Sequence, residues 1–310
     1  MEESFETGLV FGANSSATTN YDEENFMNAA ELYLDLLKKC LTRYLWEDDL
    51  QPFNPEEYGS TLKKKLKSEV TTWLNDRGIE LYRRSPFNRE ARELGRDWPL
   101  NAESMIGLRR LENLQYCIRT IIEDDIEGDV IETGVWRGGA SIFMKGALEA
   151  YQNKEKLVWC ADSFEGLPPP DEENYPADKI ATWHTNRELA ISIDIVKENF
   201  KKYGMLDERV KFLKGWFKDT LPEAPINSLA LIRLDGDMYE STMDALNNLY
   251  HKLQPGGVLI VDDYGLPEDT CRKAIHDFRT SNGITEPIID IDGWGGYWRR
   301  DRLVSHPVLV

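Results

Sequence analysis

Long hydrophobic runs, paired cysteines and grouped histidines are all missing from this 310-residue chain. No apolar stretch approaches the roughly 18 residues that a membrane-spanning helix requires. The opening Met1-Glu2-Glu3-Ser4-Phe5-Glu6 also lacks the basic and apolar regions of a secretory signal. These absences predict a cytoplasmic protein without a membrane partner. Cys40, Cys117, Cys160 and Cys271 have no C-x-x-C spacing, and Cys160 stands inside an apolar run. They read as buried free thiols, which argues against a disulfide framework or a structural zinc site. His184, His251, His276 and His306 are isolated from one another and form no metal or catalytic motif.

Positive charge is scarce as well. Lys and Arg number 37 against 55 Asp and Glu, a formal net charge of -18. Residues 1–60 hold 13 acidic against 3 basic residues, so a net of -10 falls in the first fifth. With no long basic patch to offset it, this charge repels phosphate backbones, and nucleic acid is excluded as a partner.

What remains is organised in three parts. Residues 1–25 are acidic, polar and small-residue-rich, and read as a disordered tail. From Phe26 to Trp46, Leu34, Leu37, Leu41, Tyr44 and Leu45 recur at helical spacing, which predicts an amphipathic helix needing a partner surface on the main domain or on another subunit. Residues 26–100 are thus expected to form a helical extension serving oligomerisation or a lid, and the chain a homo-oligomer, dimer or tetramer. Lys63-Lys64-Lys65 reads as a solvated helix face. Ser104 is expected to cap a helix with Met105, Leu108, Leu111, Leu114, Ile118 and Ile121 inward.

From Asp129 onward short apolar runs alternate with helical patterns. The strands are expected at Val130–Thr133, Leu157–Ala161, Val210–Leu213, Leu229–Leu234 and Val258–Val261, with two last ones at Pro287–Ile291 and Gly296–Arg299 around an Asp292-Gly293 turn. This predicts an α/β fold, a doubly wound, mainly parallel seven-stranded Rossmann-like sheet, over residues 101–310.

Two acidic clusters stand where two of these runs stop: Asp235 and Asp237 after Leu234, and Asp262-Asp263 after Val261. A single Asp after a strand is often a cap or turn former. Two clusters at two consecutive strand ends would crowd carboxylates together unless a cation neutralises them, and oxygen-only ligands favour Mg2+ or Ca2+ over zinc.

The first strand runs into Glu132-Thr133-Gly134-Val135-Trp136-Arg137-Gly138-Gly139, a turn whose glycines let backbone amides approach a ligand. A dinucleotide fingerprint would need Gly where Trp136 stands, which disfavours an NAD-dependent oxidoreductase. Asp162, in Cys160-Ala161-Asp162-Ser163-Phe164 at the end of the second strand, is placed to accept hydrogen bonds from ribose hydroxyls. Lys214-Gly215-Trp216-Phe217 after the third strand is placed to border an adenine ring. A Gly-rich turn, an acid after strand two and no diphosphate fingerprint point to S-adenosylmethionine, whose positive sulfonium suits an acidic pocket containing Glu132.

Four segments then carry a resemblance: Met105-Ile106-Gly107-Leu108-Arg109-Arg110-Leu111-Glu112-Asn113-Leu114; the turn from Ile131 to Gly139; Asp162-Ser163-Phe164-Glu165-Gly166-Leu167-Pro168; and Leu234 to Tyr239 with Pro255-Gly256-Gly257 through Asp262-Asp263-Tyr264-Gly265. In this order they resemble the macrocin O-methyltransferases, enzymes that methylate sugar hydroxyls on macrolide and aminocoumarin antibiotics. Leu32-Tyr33-Leu34-Asp35-Leu36-Leu37-Lys38-Lys39 is similar to the family's early helix. The resemblance implies that Asp235, Asp262 and Asp263 hold Mg2+ and that Asp162 binds the ribose. It implies too that Glu132 and Gly134 line the methionine end with Met105 and Arg109 nearby. Thr133, Gly138, Ser163, Gly215 and Trp216 complete the expected cofactor set. Glu103-Ser104 stands where the resemblance leads one to expect His-Thr.

Methyl transfer to a sugar hydroxyl needs that weak acid deprotonated as it attacks, and the histidines offer no base. A metal on two adjacent hydroxyls would lower the pKa of the reacting one. Asp237 is the expected base, with Asp235 as its competitor. Residues 168–187 form a long polar and aromatic segment directly after the cofactor Asp, read as an acceptor-gating lid with Tyr175 and Trp183 available to stack on a glycosylated acceptor. The competing readings are a phenol or catechol O-methyltransferase and a non-catalytic metal- or carbohydrate-binding protein.

Overall fold

Two periodicities build the fold. Along each central strand, alternate residues face opposite sides, and both sides are apolar, as a parallel sheet covered on both faces requires. A computed structural model describes residues 28–46, 50–53, 61–79, 81–84, 86–99, 101–267 and 269–301; the expected tail over residues 1–25 lies outside the described residues.

Strands β3 (Asp129–Thr133), β4 (Val158–Asp162), β5 (Val210–Lys214), β6 (Leu229–Leu234), β7 (Leu253–Val261), β8 (Ile289–Asp290) and β9 (Gly296–Arg299) form one sheet in the order β5-β4-β3-β6-β7-β9-β8. The first five are parallel, and the last two form an antiparallel hairpin on the β7 edge. The chain winds outward from β3 to β5 and then crosses back to β6, so strand order reverses between β3 and β6. Ligands bind at such a switch point, beyond the carboxyl ends of the strands.

On one face Val130, Val158, Cys160, Ala230, Leu231, Val258 and Ile260 join a buried cluster with α1 (Ala29–Leu41), α4 (Gly107–Glu123), α5 (Gly139–Ala150) and α6 (Ile193–Lys202). On the other, Ile131, Trp159, Ala161, Ile232, Leu234, Leu259 and Val261 pack under α8 (Tyr239–Leu249) and α9 (Thr270–Ser281), with Phe217 of the short α7 (Phe217–Thr220) against the same cluster.

The surface that α1 needs is the main domain. Leu34, Leu37 and Leu41 are buried in the same core as α4 and α5, and a Cβ on Gly146 would fall 2.5 Å from Leu37 Cδ2. The helix ends at Leu41, and Leu45 is exposed. The segment up to residue 100 is not purely helical: β1 (Leu50–Pro52) and β2 (Tyr82–Arg84) pair antiparallel around α2 (Thr61–Asn75), and α3 (Arg89–Glu93) follows. On α2, Leu66, Val70 and Trp73 are exposed, as is Lys65.

The helix expected from Ser104 starts later, at Gly107. Gly107 has φ +77°, a left-handed conformation that breaks a right-handed helix coming from Ser104, and a Cβ there would sit 2.3 Å from the Gly95 nitrogen, so only glycine fits against the chain at residue 95. Ser104 is instead buried beneath the Gly-rich turn: a Cβ on Gly139 would lie 2.4 Å from Ser104 Cβ. Among the described residues, no helix is long and apolar enough to cross a membrane.

Candidate active site

The parallel register sets the site. Thr133 pairs with Ala161 and Leu234, and Leu234 pairs with Val261, so the carboxyl ends of four strands, β4, β3, β6 and β7, come to one level. The next residue in each case extends the ladder: Asp235 N donates to Thr133 O at 2.8 Å, Asp262 N to Leu234 O at 2.8 Å and Gly134 N to Ala161 O at 2.9 Å. The residues leaving these strands therefore start side by side. One oxygen each from Asp235, Asp262 and Asp263 lies within 4.8 Å of the others. A cation bonded to oxygens at about 2.0–2.6 Å can reach all three at that separation.

These carboxylates open into a cleft of about 280 Å3 that is also lined by Glu132, Gly134, Asp162, Ser163, Gly215 and Trp216. Met105, Trp183 and Asp237 line it too. Four other expected site residues lie elsewhere. Arg109 is exposed and pairs with Glu112, because the period of α4 turns Arg110 inward instead. Thr133 is buried in the sheet, with its hydroxyl 3.5 Å from the Arg233 carbonyl. Gly138 is the left-handed N-cap of α5 and packs on Val196 and Phe200. Tyr175 stacks on Tyr239, centroids 6.1 Å apart, outside the cleft lining.

Gly134 has φ +89°, and a Cβ there would meet the Asp235 carbonyl at 1.6 Å, so only glycine lets the turn after β3 lie against the acidic loop after β6. Asp162 organises the same turn: its carboxylate accepts from Val135 N and from Phe164 N, each at 2.6 Å. Burial raises the Asp162 pKa above the usual range, and these backbone donors oppose the rise. Trp136 also lines the cleft, and its indole Nε1 donates to Glu188 O at 2.9 Å, tying the turn to the long loop after β4. Glu103 and Ser104 line the cleft, and the Glu103 carboxylate accepts from the Tyr203 hydroxyl at 2.9 Å.

Sequence reasoning missed two cations. Arg233, in β6, is 1% exposed and donates through Nη1 to Glu132 at 2.5 Å and Asp235 at 2.7 Å, and through Nη2 to Asp262. Arg110 donates to the other Asp262 oxygen, and its Nε lies 3.2 Å from Asp292 in the β8–β9 turn. An Arg inside the run Leu229–Leu234 was the available signal, since a buried charge needs partners.

These two guanidinium groups are shared among Glu132, Asp235, Asp262 and Asp292, and Asp237 and Asp263 line the same cleft, so it keeps an acidic excess. Burial raises the Asp263 pKa well above the carboxylate range, and the charges of Asp237, Asp235 and Asp262 raise it further. Burial likewise pushes Asp235 up to about 6, reinforced by Asp262 and opposed by Arg233. Glu132 is pushed up to about 7 by burial against the pull of Arg233. An oxygen-only donor set, buried at Asp262 and Asp263 and half-buried at Asp235, with negative charge left over fits a hard divalent cation.

Asp237 has φ +55° and donates its backbone N–H to Asp263 Oδ2 at 3.0 Å, which places it directly before α8. That helix has no capping side chain of its own at Met238. Asp178 caps it from the long loop, accepting from Tyr239 N at 2.7 Å and Glu240 N at 3.0 Å. The segment read as a lid is thus built from short 3-10 turns, Pro176–Ile180, Trp183–Thr185 and Arg187–Leu189, pinned at Asp178 and at Glu188.

A seven-stranded sheet with a reversed order and this cleft at its switch point defines a Rossmann-like methyltransferase fold. Residues 30–300 match the macrocin O-methyltransferase (TylF) family model, and the chain belongs to that family. It is 46% identical over 273 residues to 8-demethyl-8-(2,3-dimethoxy-alpha-L-rhamnosyl)-tetracenomycin-C 4'-O-methyltransferase of Streptomyces olivaceus, covering 88% of this chain and 94% of that one. It is 43% identical to mycinamicin III 3''-O-methyltransferase of Micromonospora griseorubida, covering 87% and 96%. The structure of the O-methyltransferase NovP superposes with a TM-score of 0.75 at 42% identity, covering 88% of this chain and all of that one. The chain is accordingly an enzyme of the O-methyltransferase class, which removes the oxidoreductase and non-catalytic readings.

Proposed function

We propose that this enzyme transfers the methyl group of S-adenosylmethionine to a sugar hydroxyl of a glycosylated natural product, macrolide- or aminocoumarin-like, with Mg2+ at Asp235, Asp262 and Asp263. One observation carries the reading: the three-carboxylate cluster and the Gly134/Asp162 half-site open into the same cleft. The relatives' names support the acceptor class, since those enzymes act on a rhamnosylated tetracenomycin and on mycinamicin III.

When bound, the divalent cation supplies charge that lowers the pKa of the reacting hydroxyl. The chain's own residues do the rest. Asp162 accepts from the ribose hydroxyls of the methyl donor, and its grip on Val135 and Phe164 sets the turn that receives it. Glu132 presents negative charge at the floor near the sulfonium. Asp237 takes the acceptor's proton as the new C–O bond forms and the C–S bond breaks, the bonding pair leaving on sulfur. Asp237 is preferred over Asp235 because it lines the same cleft, two residues on, without belonging to the three-carboxylate cluster that would hold the metal. Trp183 lines the acceptor side, and Tyr175 supports the lid from behind through Tyr239. The reading includes a homo-oligomer, dimer or tetramer, with the exposed Leu66, Val70 and Trp73 of α2 as candidate contact surface; a monomeric sedimentation profile would remove that part.

Calorimetric titration tests the two half-sites. S-adenosylhomocysteine binding is expected to weaken by at least about tenfold in Asp162→Ala, and Mg2+ binding to be lost in Asp262→Ala. Wild-type protein that binds neither ligand would overturn the reading.

A further inference from the structure

Arg233 lies between the two halves of the cleft. Glu132 and Arg233 are direct partners across β3 and β6, so their side chains project on the same face, and Asp235 follows two residues later on that face. Nη1 serves both Glu132 and Asp235, while Nη2 serves Asp262. The outer oxygens of two of these carboxylates are held from the opposite side: the second Glu132 oxygen accepts from Ser141 on α5, and the second Asp262 oxygen from Arg110 on α4. With Glu132 2% and Arg233 1% exposed, little water can replace a broken contact.

Resting on the function proposed above, we infer that Arg233 is a positioning residue coupling methyl-donor binding to metal binding, its planar guanidinium holding Glu132 in register with Asp235 and Asp262. A rigid fork with donors in fixed directions transmits the placement of one carboxylate to the others, which a single ammonium cannot do. Asp235 and Asp262, once holding a cation, would therefore fix Arg233, and through it Glu132, in the arrangement that receives the donor. If Arg233 served only to neutralise charge, Lys in its place would alter stability and leave the effect of the metal on donor binding as it is in wild type.

The test is the ratio of S-adenosylhomocysteine dissociation constants without and with saturating Mg2+, read by calorimetry. In wild type the metal is expected to tighten binding at least about fivefold, within the usual range of coupling between sites. In Arg233→Lys, and in Glu132→Gln, which cuts the link at its other end, the ratio is expected to fall within about twofold while Mg2+ still binds. Glu132→Gln decides the matter if Arg233→Lys does not fold. A wild-type ratio near one, or coupling that survives in either variant, would overturn the inference. Failure of wild type to bind either ligand is a different result and removes the proposed function itself.

Discussion

Asp178 gives the sharpest stability prediction, because one side chain does two jobs. It is fully buried, and both of its oxygens accept backbone N–H groups from the first turn of α8, which has no capping side chain of its own. In Asp178→Ala the helix loses a cap, typically about 1–2 kcal/mol. Two donors are also left without partners in a buried setting, at about 1–3 kcal/mol. These costs overlap, so the expected loss is about 2–4 kcal/mol, or roughly 3–6 °C in Tm for a chain of this size. Asp178→Asn keeps one acceptor, sets an amide donor against the second N–H and gives up the charge–dipole attraction; a loss of about 1–2 kcal/mol is expected. Thermal unfolding followed by circular dichroism reads both. Because the same contact pins the long loop beside Asp237, KM for the acceptor is expected to rise by a larger factor than kcat falls. A Tm for Asp178→Ala within roughly 1 °C of wild type would refute the capping argument.

Further outcomes follow from the cleft. Asp162→Ala removes a charged acceptor and loosens the Gly-rich turn, so calorimetry is expected to show S-adenosylhomocysteine binding weakened by at least about tenfold with Mg2+ affinity kept; an unchanged affinity would contradict the ribose role. Asp237→Asn is expected to lower kcat about 10²- to 10⁴-fold with both ligands still bound, and a variant retaining more than about a tenth of the wild-type rate would remove Asp237 as base. Glu132 is raised by burial to about 7 and Asp235 to about 6, so the folded state holds these protons more tightly than the unfolded chain. The stability this contributes is full below about pH 4 and is lost as pH rises through about 7. In EDTA the Tm is therefore expected to fall from about pH 5 to about pH 8, and Mg2+, which favours the ionised carboxylates, to flatten that slope. A Tm that rises over this window without metal would contradict the assignment.

The strands, their parallel order and the convergence of Asp235, Asp262 and Asp263 were legible because buried strands announce themselves as apolar runs and each acid stands at a run's end. Asp292-Gly293 likewise reads as the turn of the final hairpin, where Asp290 and Asp292 accept from the turn's backbone amides. What failed depends on distance. Adjacent Arg109 and Arg110 differ by one position on α4, and only the register 110, 114, 117, 121 on the buried face separates them. Arg233 stood in plain view inside an apolar run, but its three partners come from β3 and the ends of β6 and β7, which sequence spacing does not place together. Asp178 is 61 residues from the amide it caps, so no local pattern could reveal it. The start of α4 slipped from Ser104 to Gly107 for a similar reason, since the left-handed Gly107 fits against the backbone of Gly95.

The most direct measurement of the central claim is transfer of an isotope-labelled methyl group from S-adenosylmethionine to rhamnosylated polyketide acceptors, followed by mass spectrometry, with Mg2+ and after EDTA, and with a catechol as the comparison acceptor. Label is expected on a sugar oxygen, lost in EDTA and restored by Mg2+. Label on the catechol alone, or transfer to the sugar that EDTA does not diminish, would contradict the claim.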